Sequence, residues 1–214
     1  MLGKLYMQTD RLPQAEHALL YAVNLHIQSH SSLEKGNDQQ TLSELYMATN
    51  RMEEAEELLA QAVNLHKQAQ NNLGEGGDLL ALGKLYMCTN RFTEAKESLV
   101  QAVHLHQKAH SRLHEANDWQ ALGELYMHTD QFQEAEKSLL HAIDLHKGAR
   151  NVMGEGNDYV KLGELYIHTK QFKEAEKSLL QAIGLFQQAQ NSKQMAYAQG
   201  KIDNLHILMM RSSP

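Results

Sequence analysis

The sequence predicts an all-α protein, an α-solenoid of stacked antiparallel helix pairs. Three observations carry this. LGELYMHTDQFQEAEKSLL at 122–140 returns as LGELYIHTKQFKEAEKSLL at 162–180, and the same forty-residue period runs through the chain. Each period holds two stretches with apolar residues spaced three and four apart, the mark of an amphipathic helix. Proline occurs only at 13 and 214, while Ala, Leu, Glu, Gln and Lys dominate, which favours helix.

The elements follow in order. Residues 1–30 read as a shortened first repeat. Met1 has the phase of Thr41, midway along a first helix, so either the chain is a piece of something longer or an exposed edge is expected at the N-terminus. Further repeats span 31–70, 71–110, 111–150 and 151–190, making five over 1–190. In 111–150 the first helix carries Trp119, Leu122, Leu125 and Tyr126. The second carries Phe132, Ala135, Leu139, Ala142, His146 and Ala149. The turn TDQF between them suits an antiparallel pair. Ser31, Asn71, Ser111, Asn151 and Asn191 share one phase and are N-cap types, expected to open each first helix. Gly74, Gly76 and Gly77 are expected to delay the helix that follows Asn71. Gly83, Gly123 and Gly163 share a slot with Ser43; Ala95, Ala135 and Ala175 form a second small series, and Ala102, Ala142 and Ala182 a third. Such slots let helices approach closely, and a larger buried residue there costs about 1–3 kcal/mol. Residues 191–214 read as a capping helix and tail. Asp203 stands in the small-residue slot, which predicts that no helix packs tightly against it.

Composition removes several function classes. The formal net charge of −6 and the absence of Lys/Arg clusters argue against nucleic acid and membrane surfaces. No apolar run approaches the roughly 18 residues of a spanning helix. The single cysteine, Cys88, excludes an intramolecular disulfide and fits a reducing, cytoplasmic location. MLGKLYMQTDRL lacks the pattern of a secretory signal. No phosphate-binding G-x-x-x-x-G-K-[ST], zinc-binding H-E-x-x-H or G-x-S-x-G motif occurs. LGEGG at 73–77 follows a helix and makes a poor phosphate cradle. No catalysis and no cofactor are expected.

Leu122-Gly123, then Tyr126, Ala135, Leu139 and Ala142, with Trp119 ahead, resembles the tetratricopeptide repeat, and the match recurs over roughly 1–190. The period departs from the family's usual length of about 34. The repeat-closing proline is missing near Lys147 and Gln187. The string AQNNLGEGGDLLALGKLYM at 69–87 resembles arrays of mushroom-forming fungi, some joined to nucleotide-binding immune-type receptors.

This resemblance implies a right-handed α-solenoid with a concave surface lined by first helices that holds a peptide or a partner helix. Its lining would be Asn37, Gln40, Glu44 and Met47; Leu80, Lys84, Met87 and Cys88; Asn117, Gln120, Glu124, Met127 and His128; and Asn157, Val160, Glu164, Ile167 and His168. Met7, Met47, Met87, Met127 and Ile167 form a ladder that reads either as an adaptable binding surface or as half-buried filler. One branch of the family clamps chaperone C-terminal carboxylates. Its key Asn slot here holds Lys4, Glu44, Lys84, Glu124 and Glu164, which predicts rejection of such a ligand and preference for a basic one. Glu124/His128 and Glu164/His168 are i,i+4 pairs, read as a solvated polar groove rather than a metal site. Tyr6, Tyr46, Tyr86, Tyr126 and Tyr166 read as packing residues. His26, His66, His106 and His146 read as packed histidines with one hydrogen-bond partner, since Phe186 takes the same slot. Three functional readings follow: a protein-interaction adaptor, the sensor portion of a larger signalling nucleotide hydrolase, and a self-associating array that stacks through its N-terminal edge.

Overall fold

The computed structural model describes residues 2–212 and, among them, eleven helices and no strand. They are α1 (Leu2–Gln8), α2 (Leu12–Gln28), α3 (Ser32–Ala48), α4 (Met52–Gln68), α5 (Asn72–Cys88), α6 (Phe92–Lys108), α7 (Arg112–His128), α8 (Phe132–Gly148), α9 (Val152–His168), α10 (Phe172–Gln188) and α11 (Ser192–Ser212). Met1, on which the shortened first helix was argued, and the Lys4 side chain lie outside what is described. The chain divides into two compact units, Met1–Ser111 and Arg112–Pro214. Within each, consecutive helices pack in antiparallel α-solenoid pairs.

Local chemistry explains where helices begin. The Asn71 side chain accepts from the Gly74 N–H at 3.1 Å, Asn151 from Gly154 at 3.1 Å, and Asn191 from Gln194 at 3.0 Å. Each satisfies a first-turn donor that has no partner within the helix. Ser31 instead donates to the Glu34 carboxylate. The expected delay behind Asn71 does not occur, because α5 starts at Asn72. The glycines there answer to packing. A β-carbon on Gly74 would meet the His66 ring at 2.7 Å, and one on Gly76 would meet His106 at 2.6 Å.

Helices end by one repeated device. Every twentieth residue from Asp10 to Gln190 takes positive φ, and none of the ten is glycine. At the turn between α3 and α4, Asn50 (φ 62°) donates to Met47 O at 3.2 Å and Arg51 donates to Tyr46 O at 2.8 Å. These bonds from the two residues after the cap form the Schellman pattern.

Small residues set the spacing within a pair. A β-carbon on Gly83 would lie 2.6 Å from Leu99, on Gly123 2.7 Å from Leu139, and on Gly163 2.8 Å from Leu179. All three leucines are fully buried. Ser43 fits the same slot by turning its hydroxyl onto Gln40 O at 2.6 Å. Asp203 is exposed and accepts from Gln199 at 3.0 Å.

Between consecutive pairs, three tyrosines of the series do more than pack. Tyr46 OH donates to Glu16 at 3.1 Å, Tyr86 OH to Glu56 at 3.0 Å, and Tyr166 OH to Glu136 at 2.5 Å. Arg51 stacks on Tyr46 at 3.8 Å and pairs with Glu16 at 2.7 Å; Arg91 repeats this on Tyr86 and Glu56. An apolar ring thus carries a cation on its face and a carboxylate at its tip.

Candidate functional site

In the second unit, α7, α9 and α11 present one surface with three cavities that share lining residues. The first is lined by Gln120, Asn157, Val160, Lys161, Lys193, Gln194 and Tyr197. The second is lined by Glu124, Met127, His128, Asp130, Lys161, Glu164 and His168. The third, about 540 Å³, adds Ile167, Lys201, Asn204, Leu205 and Leu208. One end of this surface is therefore rich in amides, and the other is apolar. Val160 is buried at the floor of the first cavity. Met127 and Ile167 both line the surface and pack against the core.

Asn117 departs from the rest. Its side-chain oxygen lies 3.3 Å from Nε2 of His146, a buried ring, so it faces inward. The carboxylates also differ from expectation. Glu164 accepts from Lys201 at 2.6 Å and from Tyr197 OH at 3.1 Å, and Lys161 lies 3.5 Å from both Glu124 and Glu164. Burial pushes the Glu164 carboxyl upward, but these cations and the tyrosine outweigh it and hold the carboxyl below its usual range. The negative slot that favoured a basic ligand is thus answered from within, by residues of α9 and α11. His168 leans on Phe132 with ring centres 5.0 Å apart, and no cluster of metal-ligating side chains occurs among the described residues.

In the first unit, Asn37, Glu44, Lys84 and Cys88 are exposed, while Gln40, Met47, Leu80 and Met87 are half-buried. Met47 and Leu80 pack on the core, and Gln40 lies across Gly77, where a β-carbon would meet its Nε2 at 3.0 Å.

Reading the sequence missed the partners of the buried histidines. His66 Nδ1 lies 2.6 Å from Asp78 Oδ2, and His146 Nδ1 lies 2.6 Å from Asp158 Oδ2, all four side chains without exposure. His26 and Asp38 make the same contact at 2.6 Å with partial exposure. The signal was a twelve-residue His-to-Asp spacing that repeats with the period. His146 has two partners rather than the one expected.

Comparison with known families matches residues 115–188 and 39–69, each to the tetratricopeptide repeat. This chain carries tetratricopeptide repeats. A search of curated protein sequences returns no match. Among solved structures, a putative kinesin light chain of Podosopora anserina with nearly identical TPR-like repeats is 24% identical; the alignment covers 89% of this chain and 94% of that one, with TM-score 0.69. A signal transduction ATPase with numerous domains and a tetratricopeptide repeat sensor, from Pyrococcus horikoshii, is 16% identical over 96% of this chain and 32% of its own, TM-score 0.79. Aspartyl phosphate phosphatase F of Bacillus subtilis is 13% identical over 97% and 59%, TM-score 0.81. At these identities the likeness is one of fold. Tetratricopeptide repeats are a general protein-interaction module, and no described helix is long and apolar enough to cross a membrane.

Proposed function

We propose that this chain is a protein-interaction scaffold of five repeats over 1–190 with a capping helix at 191–214. It holds a peptide or partner helix against α7, α9 and α11 and has no chemistry of its own. The observation that carries the reading is the run of adjoining cavities lined by Gln120, Asn157 and Gln194 at one end and Met127, Ile167, Leu205 and Leu208 at the other. Amide side chains both donate and accept, so they suit the backbone of an extended peptide. The apolar end suits one or two buried side chains of the ligand, and methionine adapts to their shape. Rigid helices keep the ordering cost on the protein side small. A chaperone C-terminal carboxylate is not the ligand, because Glu44, Glu124 and Glu164 occupy the slot its clamp needs. With one cysteine, the chain belongs to a reducing compartment, the cytoplasm.

Two further readings each have an observation behind them. The likeness to the Pyrococcus horikoshii protein favours a sensor region within a larger signalling nucleotide hydrolase. Exposed Leu5, Leu20, Tyr21, Leu25 and Ile27 on α1 and α2 favour end-to-end self-association, which concentration-dependent mass in light scattering would show. The test of the main reading is to pan a random peptide library on the intact chain and counter-screen on Leu208→Glu. Peptides that bind both equally would sink it.

A further inference from the structure

Four repeats set a histidine and an aspartate twelve apart: His26/Asp38, His66/Asp78, His106/Asp118 and His146/Asp158. The fifth sets Phe186/Ala198, so both members change together. The apolar pair is fully buried. In the first unit, His66 of α4 meets Asp78 of α5; in the second, His146 of α8 meets Asp158 of α9. Each pair therefore joins one helix pair to the next. The His66 ring sits between Gly36 and Gly74, whose β-carbons would meet it at 2.9 and 2.7 Å.

Oδ1 of Asp78 and of Asp158 is buried with no hydrogen-bond partner, and so is Nε2 of His66. A carboxylate so placed is costly as a lone charge, and a positive ring beside it or a proton on it removes that cost. The His146 ring has an oxygen at each nitrogen, Asp158 Oδ2 at 2.6 Å and Asn117 Oδ1 at 3.3 Å. With the Asn117 amide in this orientation both nitrogens donate, which only the imidazolium can do. The remaining charged neighbours are carboxylates, Glu75 beside the first pair and Glu124 and Glu155 beside the second. They too favour retention of a proton.

We propose that the buried His–Asp pairs are proton-linked joints between consecutive helix pairs, each holding one proton while closed and loosening when that proton leaves. The second joint connects α7, α8 and α9 through Asn117, His146 and Asp158, and α7 and α9 carry Gln120, Asn157 and Glu164. Loss of its proton would therefore disturb the binding face. That consequence rests on the groove reading; the joint itself does not.

The direction of the effect follows from linkage. The hydrogen bond with Asp78 raises the His66 pKa against the opposing effect of burial, and burial raises Asp158 to about 6. Both folded values lie above those of the unfolded chain. At the first joint, stability is full below the unfolded histidine value, roughly 6.5, and is lost as pH rises through the folded one; at the second, the Asp158 contribution is full below the unfolded aspartate value, roughly 3.9, and is lost as pH rises through about 6. Each proton taken up on folding changes the folding equilibrium constant about tenfold per pH unit.

The chain supplies its own test variants, since His66→Phe/Asp78→Ala and His146→Phe/Asp158→Ala copy the natural Phe186/Ala198 pair. The melting-temperature curve of the wild type from pH 4 to pH 8.5 should differ from both variants: His66→Phe/Asp78→Ala should lose less above pH 6, and His146→Phe/Asp158→Ala should lose less between pH 4 and pH 7. Parallel curves would overturn the proposal. NMR of the His66 ring in the wild-type chain gives a reading that needs no variant. A titration midpoint above the ordinary histidine value supports the joint, and an ordinary or lower midpoint overturns it.

Discussion

Leu139 and Gly123 make a knob and a hole whose coupling is measurable. Leu139 is fully buried, and a β-carbon on Gly123 would stand 2.7 Å from its Cγ. Leu139→Ala removes three carbons, about 2.4 kcal/mol of transfer free energy at about 0.8 per carbon. The cavity left behind raises the loss to as much as about 5 kcal/mol if the site does not collapse. Gly123→Ala alone meets two opposing effects. Helix propensity gains about 1 kcal/mol, while overpacking against Leu139 costs about 1–3. Ser43 shows that a neighbour in this slot yields part of the way, so the net loss should be about 0–2 kcal/mol. In the Leu139→Ala background the added methyl enters vacated space, and Gly123→Ala should then stabilise. The assay is a double-mutant cycle by urea unfolding followed by circular dichroism, with Gly200→Ala as control because no atom lies near its β-carbon. The expected coupling is about 1–3 kcal/mol. Additivity within about 0.5 kcal/mol would refute the claim that these small slots set the helix spacing.

Lys170 holds φ 60° at a helix end. Lys170→Gly should raise stability by about 0.5–1 kcal/mol, the relief of left-handed strain less the extra chain entropy of glycine; a lower melting temperature would count against it. Glu164→Gln breaks the pair with Lys201 at a part-exposed site, so stability should drop by no more than about 1 kcal/mol. The same change leaves Lys201 without its carboxylate and Lys161 with Glu124 alone, and library panning should then enrich acidic peptides. An unchanged selection would remove Glu164 from the binding face.

The period, the pairing of helices and the small slots were legible because each leaves a one-dimensional trace: a repeat, a 3.6-residue stripe, a glycine among leucines. What was hidden needed a third dimension. Gly74 and Gly76 read as helix weakeners, yet they are the floor under imidazole rings, and propensity gave way to packing. The turns carry no glycine at positive φ, so nothing marked Asn50 or Lys170 as special. Asp78 and Asp158 drew no reading from the sequence, because only the antiparallel turn brings each of them under a histidine. Asn117 shared a phase with the lining residues, but the ring of His146 drew it inward. Glu164 looked free because Tyr197 and Lys201 lie more than thirty residues later, on α11.

The most direct test of the binding face is hydrogen–deuterium exchange on the intact chain with and without the strongest peptide from panning. The account predicts new protection on α7, α9 and α11, centred on residues 120–128, 157–168 and 194–208. Protection confined to α8 and α10, with those segments unchanged, would contradict it.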